Sequence, residues 1–182
     1  MLKTVFTFQL RPTSVSKEIL SYDAKTKDIV TVSIIILYFL SSQILAYSLL
    51  PELYLSGVST VSILKWLVLS FVWFYAYNFW VMLFGQLLSW WGSFRDICLV
   101  TAYSMFIYVI LNPIVSIAGK LLWLWIFAGI GTLIPLIWFL VVYSKSLARV
   151  QDFSESKVLV NVIVVAVVFY FLSKYLLPII GL

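Results

Sequence analysis

Between Asp28 and Pro51 the chain runs from Ile29 to Leu50 without one charged residue. About 20 apolar residues in a helix cross the roughly 30 Å hydrocarbon core of a bilayer, so this run is long enough to span. The sequence predicts further spans of the same kind, giving the set 29–50, 61–88, 97–117, 121–143 and 158–177. The expected fold class is all-α: a polytopic membrane protein, a bundle of five transmembrane helices. Residues 1–28 form a polar cytoplasmic leader, and 29–182 form the membrane domain. Composition agrees. Of 182 residues, 64% are hydrophobic and 10% charged, against roughly 25% charged in a soluble domain.

The turn between the second and third runs anchors the arrangement. Trp90 and Trp91 are followed by Gly92-Ser93 and by the adjacent opposite charges Arg95-Asp96. The chain is then apolar to Leu111. This reads as a tight turn at a membrane surface. Asn112-Pro113 follows, and Pro113, lacking a backbone donor, is expected to kink or end the third helix. Ala118-Gly119-Lys120 is the expected next turn. The polar stretch Ser144 to Lys157 is the expected loop before the fifth span, with Ser154 as its cap. In the leader, Val15, Ile19 and Tyr22 share a helical face. They suggest a short helix lying on the membrane with Lys17, Lys25 and Lys27 toward lipid phosphates. The alternative is a plain solvated leader. The first residues lack a signal-peptide core, so the chain is expected to start at Met1 and to insert through an early span.

In the second run Trp66, Trp73 and Trp80 recur every seven residues, and Tyr77, Phe84 and Trp91 recur with the same period, offset by four. Together they form an aromatic seam on one helical face. It is read either as a helix-contact face or lipid groove, or as ordinary packing with aromatic belts at the two interfaces.

Chemistry is scarce. There is no His, and the one Cys is Cys98, read as a small buried hydrophobe. These counts exclude His-based metal, haem and triad chemistry and any internal disulfide. No nucleotide-binding Gly-rich loop occurs. All seven acids fall in loops or at span ends. Ion-coupled transporters keep ionisable groups near the bilayer centre, and none is expected there. No cofactor, metal or catalytic residue is assigned. The net charge of +5 is read as cytoplasmic Lys and Arg rather than a nucleic-acid surface. Nine cations (Lys3, Arg11, Lys17, Lys25, Lys27, Arg95, Lys145, Arg149 and Lys157) fall on the N-terminal side of the predicted spans. Three (Lys65, Lys120 and Lys174) fall on the other. The positive-inside rule then places the N-terminus in the cytoplasm and the C-terminus outside.

On Gly92-Ser93-Phe94-Arg95-Asp96, Tyr103-Ser104 and Pro113, and again on Leu147-Ala148-Arg149-Val150-Gln151-Asp152-Phe153-Ser154 with Lys157 and a Val-rich run, the chain resembles the Yip-domain family of five-span membrane proteins. Leu10-Arg11-Pro12 and Lys17-Glu18-Ile19 are similar to that family's lead-in. Members often have Gly at the position of Asp152. The short leader looks like that of prokaryotic members, which implies a cell-membrane location. The resemblance implies a non-catalytic adaptor that organises proteins or lipid, including as an accessory subunit of a larger complex. Its partners would be membrane lipids and other integral proteins, or a second copy. Interaction residues are expected at Arg95, Asp96, Arg149, Asp152 and Lys157, with Arg95 pairing Asp96 or Asp152. A passive carrier or channel for a neutral or lipid-like solute is the alternative. A lipid-modifying enzyme is the weakest reading, because no reactive groups cluster.

Overall fold

In the computed structural model, described over residues 2–49, 59–87, 92–122 and 125–179, the chain is helical throughout, without strands among those residues. The helices are α1 Leu2–Leu10, α2 Pro12–Leu20, α3 Ala24–Leu49, α4 Thr60–Leu87, α5 Phe94–Leu122, α6 Trp125–Gln151 and α7 Glu155–Ile179. Among the described residues, four contain segments long and apolar enough to cross a membrane: Ala24–Tyr47, Val61–Leu87, Phe94–Ile117 and Leu133–Gln151. The fifth expected span falls on α7, which is not among these four.

Local chemistry starts four of the long helices. Asp23 precedes α3 and accepts hydrogen bonds from the Thr26 amide and hydroxyl. Those bonds favour the ionised carboxylate and hold its pKa below the usual carboxylate value. Ser59 Oγ accepts from the Ser62 amide at 3.2 Å at the start of α4. The Ser93 carbonyl accepts from the Asp96 and Ile97 amides as α5 begins. Ser154 stands immediately before α7, at the position the sequence assigns to its cap, with its carbonyl accepting from the Lys157 and Val158 amides.

Three boundaries differ from expectation. Pro113 neither ends nor interrupts α5, which continues past Ala118-Gly119-Lys120 to Leu122. In an apolar medium the helix is the cheapest way to pair the remaining backbone groups, and neighbouring helices tolerate one lost donor. The Ser144–Lys157 loop contracts to residues 152–154, because α6 runs to Gln151. Polar residues do not by themselves stop a helix, and Ser144, Ser146, Leu147 and Ala148 are buried. The stop comes at Asp152, in left-handed backbone at φ 49°. The Phe153 amide there bonds back to the Ala148 carbonyl at 3.1 Å, the six-to-one bond of a Schellman ending.

The leader is the third difference. It holds two helices, and its apolar face meets protein. Val15 and Ile19 on α2 are buried, Tyr22 packs partly against the core, and α2 lies against α6. Lys25 and Lys27 belong to α3 instead. Helix α1 lies along α5. Its Phe8 ring sits 5.1 Å from Tyr103 and its Phe6 ring 5.9 Å from Phe106.

Helices α3 and α5 are the central pair and run parallel. Lys27 meets Asp96 at one end, the Tyr38 and Tyr108 rings lie 5.9 Å apart midway, and Asn112 reaches Ser41 farther along. Helix α6 runs antiparallel to α5, with Phe139 beside Tyr108 and Tyr143 against Thr101. One end of the bundle therefore gathers the starts of α3, α5 and α7 and the ends of α4 and α6.

The left-handed position at Asp152 yields a direct test. A β-branched residue there costs about 1–2 kcal/mol, whereas Gly adopts it freely. Thermal unfolding in detergent is expected to show Asp152→Val less stable by about that amount and Asp152→Gly at least as stable as the parent.

Candidate functional site

Helices α3, α4 and α5 enclose a cleft with two chambers along the same helix faces. The outer chamber, about 390 Å³, is lined by Asp28, Thr31, Tyr75, Ser93, Phe94, Arg95 and Cys98. The inner chamber, about 510 Å³, is lined mostly by apolar and aromatic groups, including Ile35, Tyr38, Trp66, Trp73, Tyr77, Met105 and Tyr108. On α3 the wall runs Thr31, Ile35, Tyr38. On α5 it runs Cys98, Thr101, Met105, Tyr108. Both sets have helical spacing, so the inner chamber continues the outer one. Each volume lies in the range of small-molecule sites, about 300–1,000 Å³.

At the outer chamber two adjacent charge pairs meet crosswise. Lys27 Nζ lies 2.6 Å from Asp96 Oδ1, and Arg95 Nε lies 2.7 Å from Asp28 Oδ1. The Lys27–Asp96 pair is mostly covered, with side chains 12% and 22% exposed, whereas the Arg95–Asp28 pair is half in solvent. Arg95 thus pairs with neither Asp96 nor Asp152, contrary to the sequence expectation. An adjacent Asp is poorly placed along one helix, where side chains meet at i+3 and i+4. Asp28 lies across the gap on the parallel helix.

The deeper polar groups clip helices together. Thr101 Oγ1 donates to Asn78 Oδ1, joining α5 to α4, while Asn78 Nδ2 donates to the Phe74 carbonyl. Asn112 Nδ2 reaches Ser41 and Ser42 on α3 at 3.3 and 3.4 Å. Asn161 Nδ2 on α7 donates to the Val81 carbonyl on α4 at 3.3 Å. Gln9 Nε2 donates to the Tyr103 carbonyl at 2.6 Å, and its oxygen accepts from Trp138 Nε1 at 3.1 Å, tying α1 to α5 and α6. Among the described residues no three His, Cys, Asp or Glu side chains gather as a metal site.

The aromatic seam has a specific place. The buried stripe of α4 is Phe74, Asn78, Val81 and Gly85, spaced by four, three and four. The seam lies beside this stripe. Trp73 and Tyr77 line the inner chamber, as does Trp66, which is 54% exposed. Trp80 and Phe84 are half-buried, their rings tilted against each other with centroids 5.9 Å apart. Trp91 lies outside the described residues.

The other expected interaction residues stand apart. Arg149, Asp152 and Lys157 are exposed at the same end of the bundle, Lys157 sitting 5.6 Å from the centre of the Phe153 ring. Among the described residues no hydrogen bond or ion pair joins them to Arg95 or Asp96. Sequence reading missed the role of Lys27 and Asp28. The signal was present: Lys27-Asp28 and Arg95-Asp96 are adjacent opposite charges, each at the start of an apolar run.

No family model, curated protein or solved structure matches this chain.

The two ion pairs are expected to differ in weight. Asp96→Asn strands Lys27 under partial cover, at a cost of roughly 1–3 kcal/mol. Asp28→Asn breaks an exposed pair, worth at most about 1 kcal/mol. Thermal unfolding of both variants, with a Lys27/Asp96 double-mutant cycle, is expected to rank Asp96→Asn clearly lower. Equal losses would remove the distinction.

Proposed function

We propose that this protein is a non-catalytic integral membrane adaptor or organiser of Yip type, acting through helix contacts inside the bilayer and suited to an accessory role in a larger membrane complex. The observation carrying this reading is the use of the intramembrane amides. Asn78, Asn112 and Asn161 each clip one helix to another. Among the described residues they form no continuous polar path, and no three His, Cys, Asp or Glu side chains gather. Apolar side chains, by contrast, face outward along α3, α4 and α7, among them Leu40, Val68, Val72, Val160, Ile163 and Val167. Membrane helices associate through such packing surfaces. The partners are other integral membrane proteins or a second copy, and membrane lipids.

Five crossings with the N-terminus in the cytoplasm complete the proposal. Helix α7 has 25 residues, enough for the hydrocarbon core. Lys25, Lys27, Arg95, Arg149 and Lys157 gather at the end that holds the starts of α3, α5 and α7, as the positive-inside rule favours for a cytoplasmic face. Two features support the Yip resemblance. Asp152, where that family often has Gly, occupies left-handed backbone, the conformation that favours Gly. Tyr103-Ser104 of the shared motif is buried where α1 meets α5. The cleft itself favours the second reading, a passive carrier of a neutral or lipid-like solute.

Purified in mild detergent from its native membrane, the protein is expected to carry a protein partner or a second copy at fixed stoichiometry. A solitary monomer that moves a solute across liposomes would replace the adaptor with the carrier. For orientation, a reporter fused after Leu182 is expected to be active only outside the cytoplasm, and activity confined to the cytoplasm reverses the topology.

A further inference from the structure

The cleft between α3, α4 and α5 changes character with depth in a way that matches one class of molecule. Its outer chamber carries the Arg95 guanidinium and the Asp28 carboxylate, half exposed and joined only through Nε and one carboxylate oxygen. Among the described residues no further hydrogen bond or ion pair engages the terminal guanidinium nitrogens or the second carboxylate oxygen. One turn deeper, Thr31 lines the same chamber. It is 2% exposed, and its hydroxyl has no hydrogen-bond partner. A buried unpaired hydroxyl is costly, and a serine or threonine in a helix ordinarily bonds back to its own backbone. The inner chamber is then aromatic and apolar.

Length fits as well. From Arg95 to Tyr108 is about 20 Å at 1.5 Å per residue. Half of a hydrocarbon core is about 15 Å, so the cleft spans one leaflet with its headgroup layer.

We infer that the α3–α4–α5 cleft is a binding site for a single glycerophospholipid of the leaflet facing the Arg95 end. Its phosphate lies on the Arg95 guanidinium, a glycerol-linked oxygen accepts from the Thr31 hydroxyl, and one acyl chain fills the chamber lined by Trp73, Tyr77 and Tyr108. The mixed-sign mouth suits a zwitterionic head, with the ammonium on Asp28. The site does not depend on the adaptor reading, since lipid occupancy and protein partners are read separately from one preparation.

The test is titration of the purified, delipidated protein with palmitoyl-oleoyl phosphatidylethanolamine in detergent, read by native mass spectrometry. The wild type is expected to saturate at one lipid per chain. Thr31→Val, which keeps shape and removes the hydroxyl, is expected to weaken binding roughly fivefold. Arg95→Gln is expected to weaken it by about tenfold or more. Ser70 of α4 also lines the inner chamber, and Ser70→Phe, which places bulk there, is expected to abolish the saturable step. Circular dichroism confirms that each variant keeps its helices. Unsaturable lipid binding that is equal in all four proteins would mean annular lipid only and overturn the site. A protein segment cross-linked into the chamber in place of lipid would overturn it too.

Discussion

From Ile97 to Ser104 every residue of α5 is buried, none more than 3% exposed. A helix enclosed on all sides must be surrounded by other elements, and that requirement orders the bundle. Helix α3 lies along one side, α4 and α6 along others, and α1 covers a stretch that the long helices leave open. Phe8 against Tyr103, with Gln9 bonded to the Tyr103 carbonyl, closes that last side. The leader is therefore part of the core rather than a tail beside it.

The parallel course of α3 and α5 follows from connectivity. Two helices separated by one antiparallel helix start at the same face. Lys27-Asp28 and Arg95-Asp96 each stand near the start of their helix, so they come face to face and pair crosswise. Two pairs in one place leave the local charge balanced. Deeper in the bundle neutral amides replace ion pairs, as expected where charges are expensive and hydrogen bonds are not. Polarity thus falls with depth along a single seam: ions, then Thr101 with Asn78, then Asn112 with Ser41.

How much of this was legible in the sequence depends on the range of the forces. Apolar run length is a local property, so the spans carried by α3, α4 and α5 stand close to where hydropathy puts them. Helix ends are set by finer features. Ser144 to Gln151 reads as a loop by polarity yet is helical, because the stop is the backbone conformation at Asp152. Pro113 reads as a stop and is not one. The α4 seam shows the limit differently. Aromatic periodicity draws the eye to one face of α4, but the buried stripe runs through Phe74, Asn78, Val81 and Gly85. The two charged dipeptides stand out in the sequence, but that Arg95 takes Asp28 rather than its neighbour Asp96 emerges only when two distant helices lie side by side.

The cleft follows from the way α4 is fastened. Close approach of membrane helices needs small or hydrogen-bonding residues at the contact, and α4 has Gly85, Asn78 and the Val81 carbonyl in its second half. Its first half presents Trp66, Trp73 and exposed aliphatic residues instead. Side-chain bulk sets the distance between helix axes, and on that half Trp66 and Trp73 share the walls of the inner chamber with Tyr38 and Tyr108. The inner chamber thus lies beside the half of α4 that lacks small and hydrogen-bonding contact residues, and its aromatic walls come from that half and from Tyr38 and Tyr108.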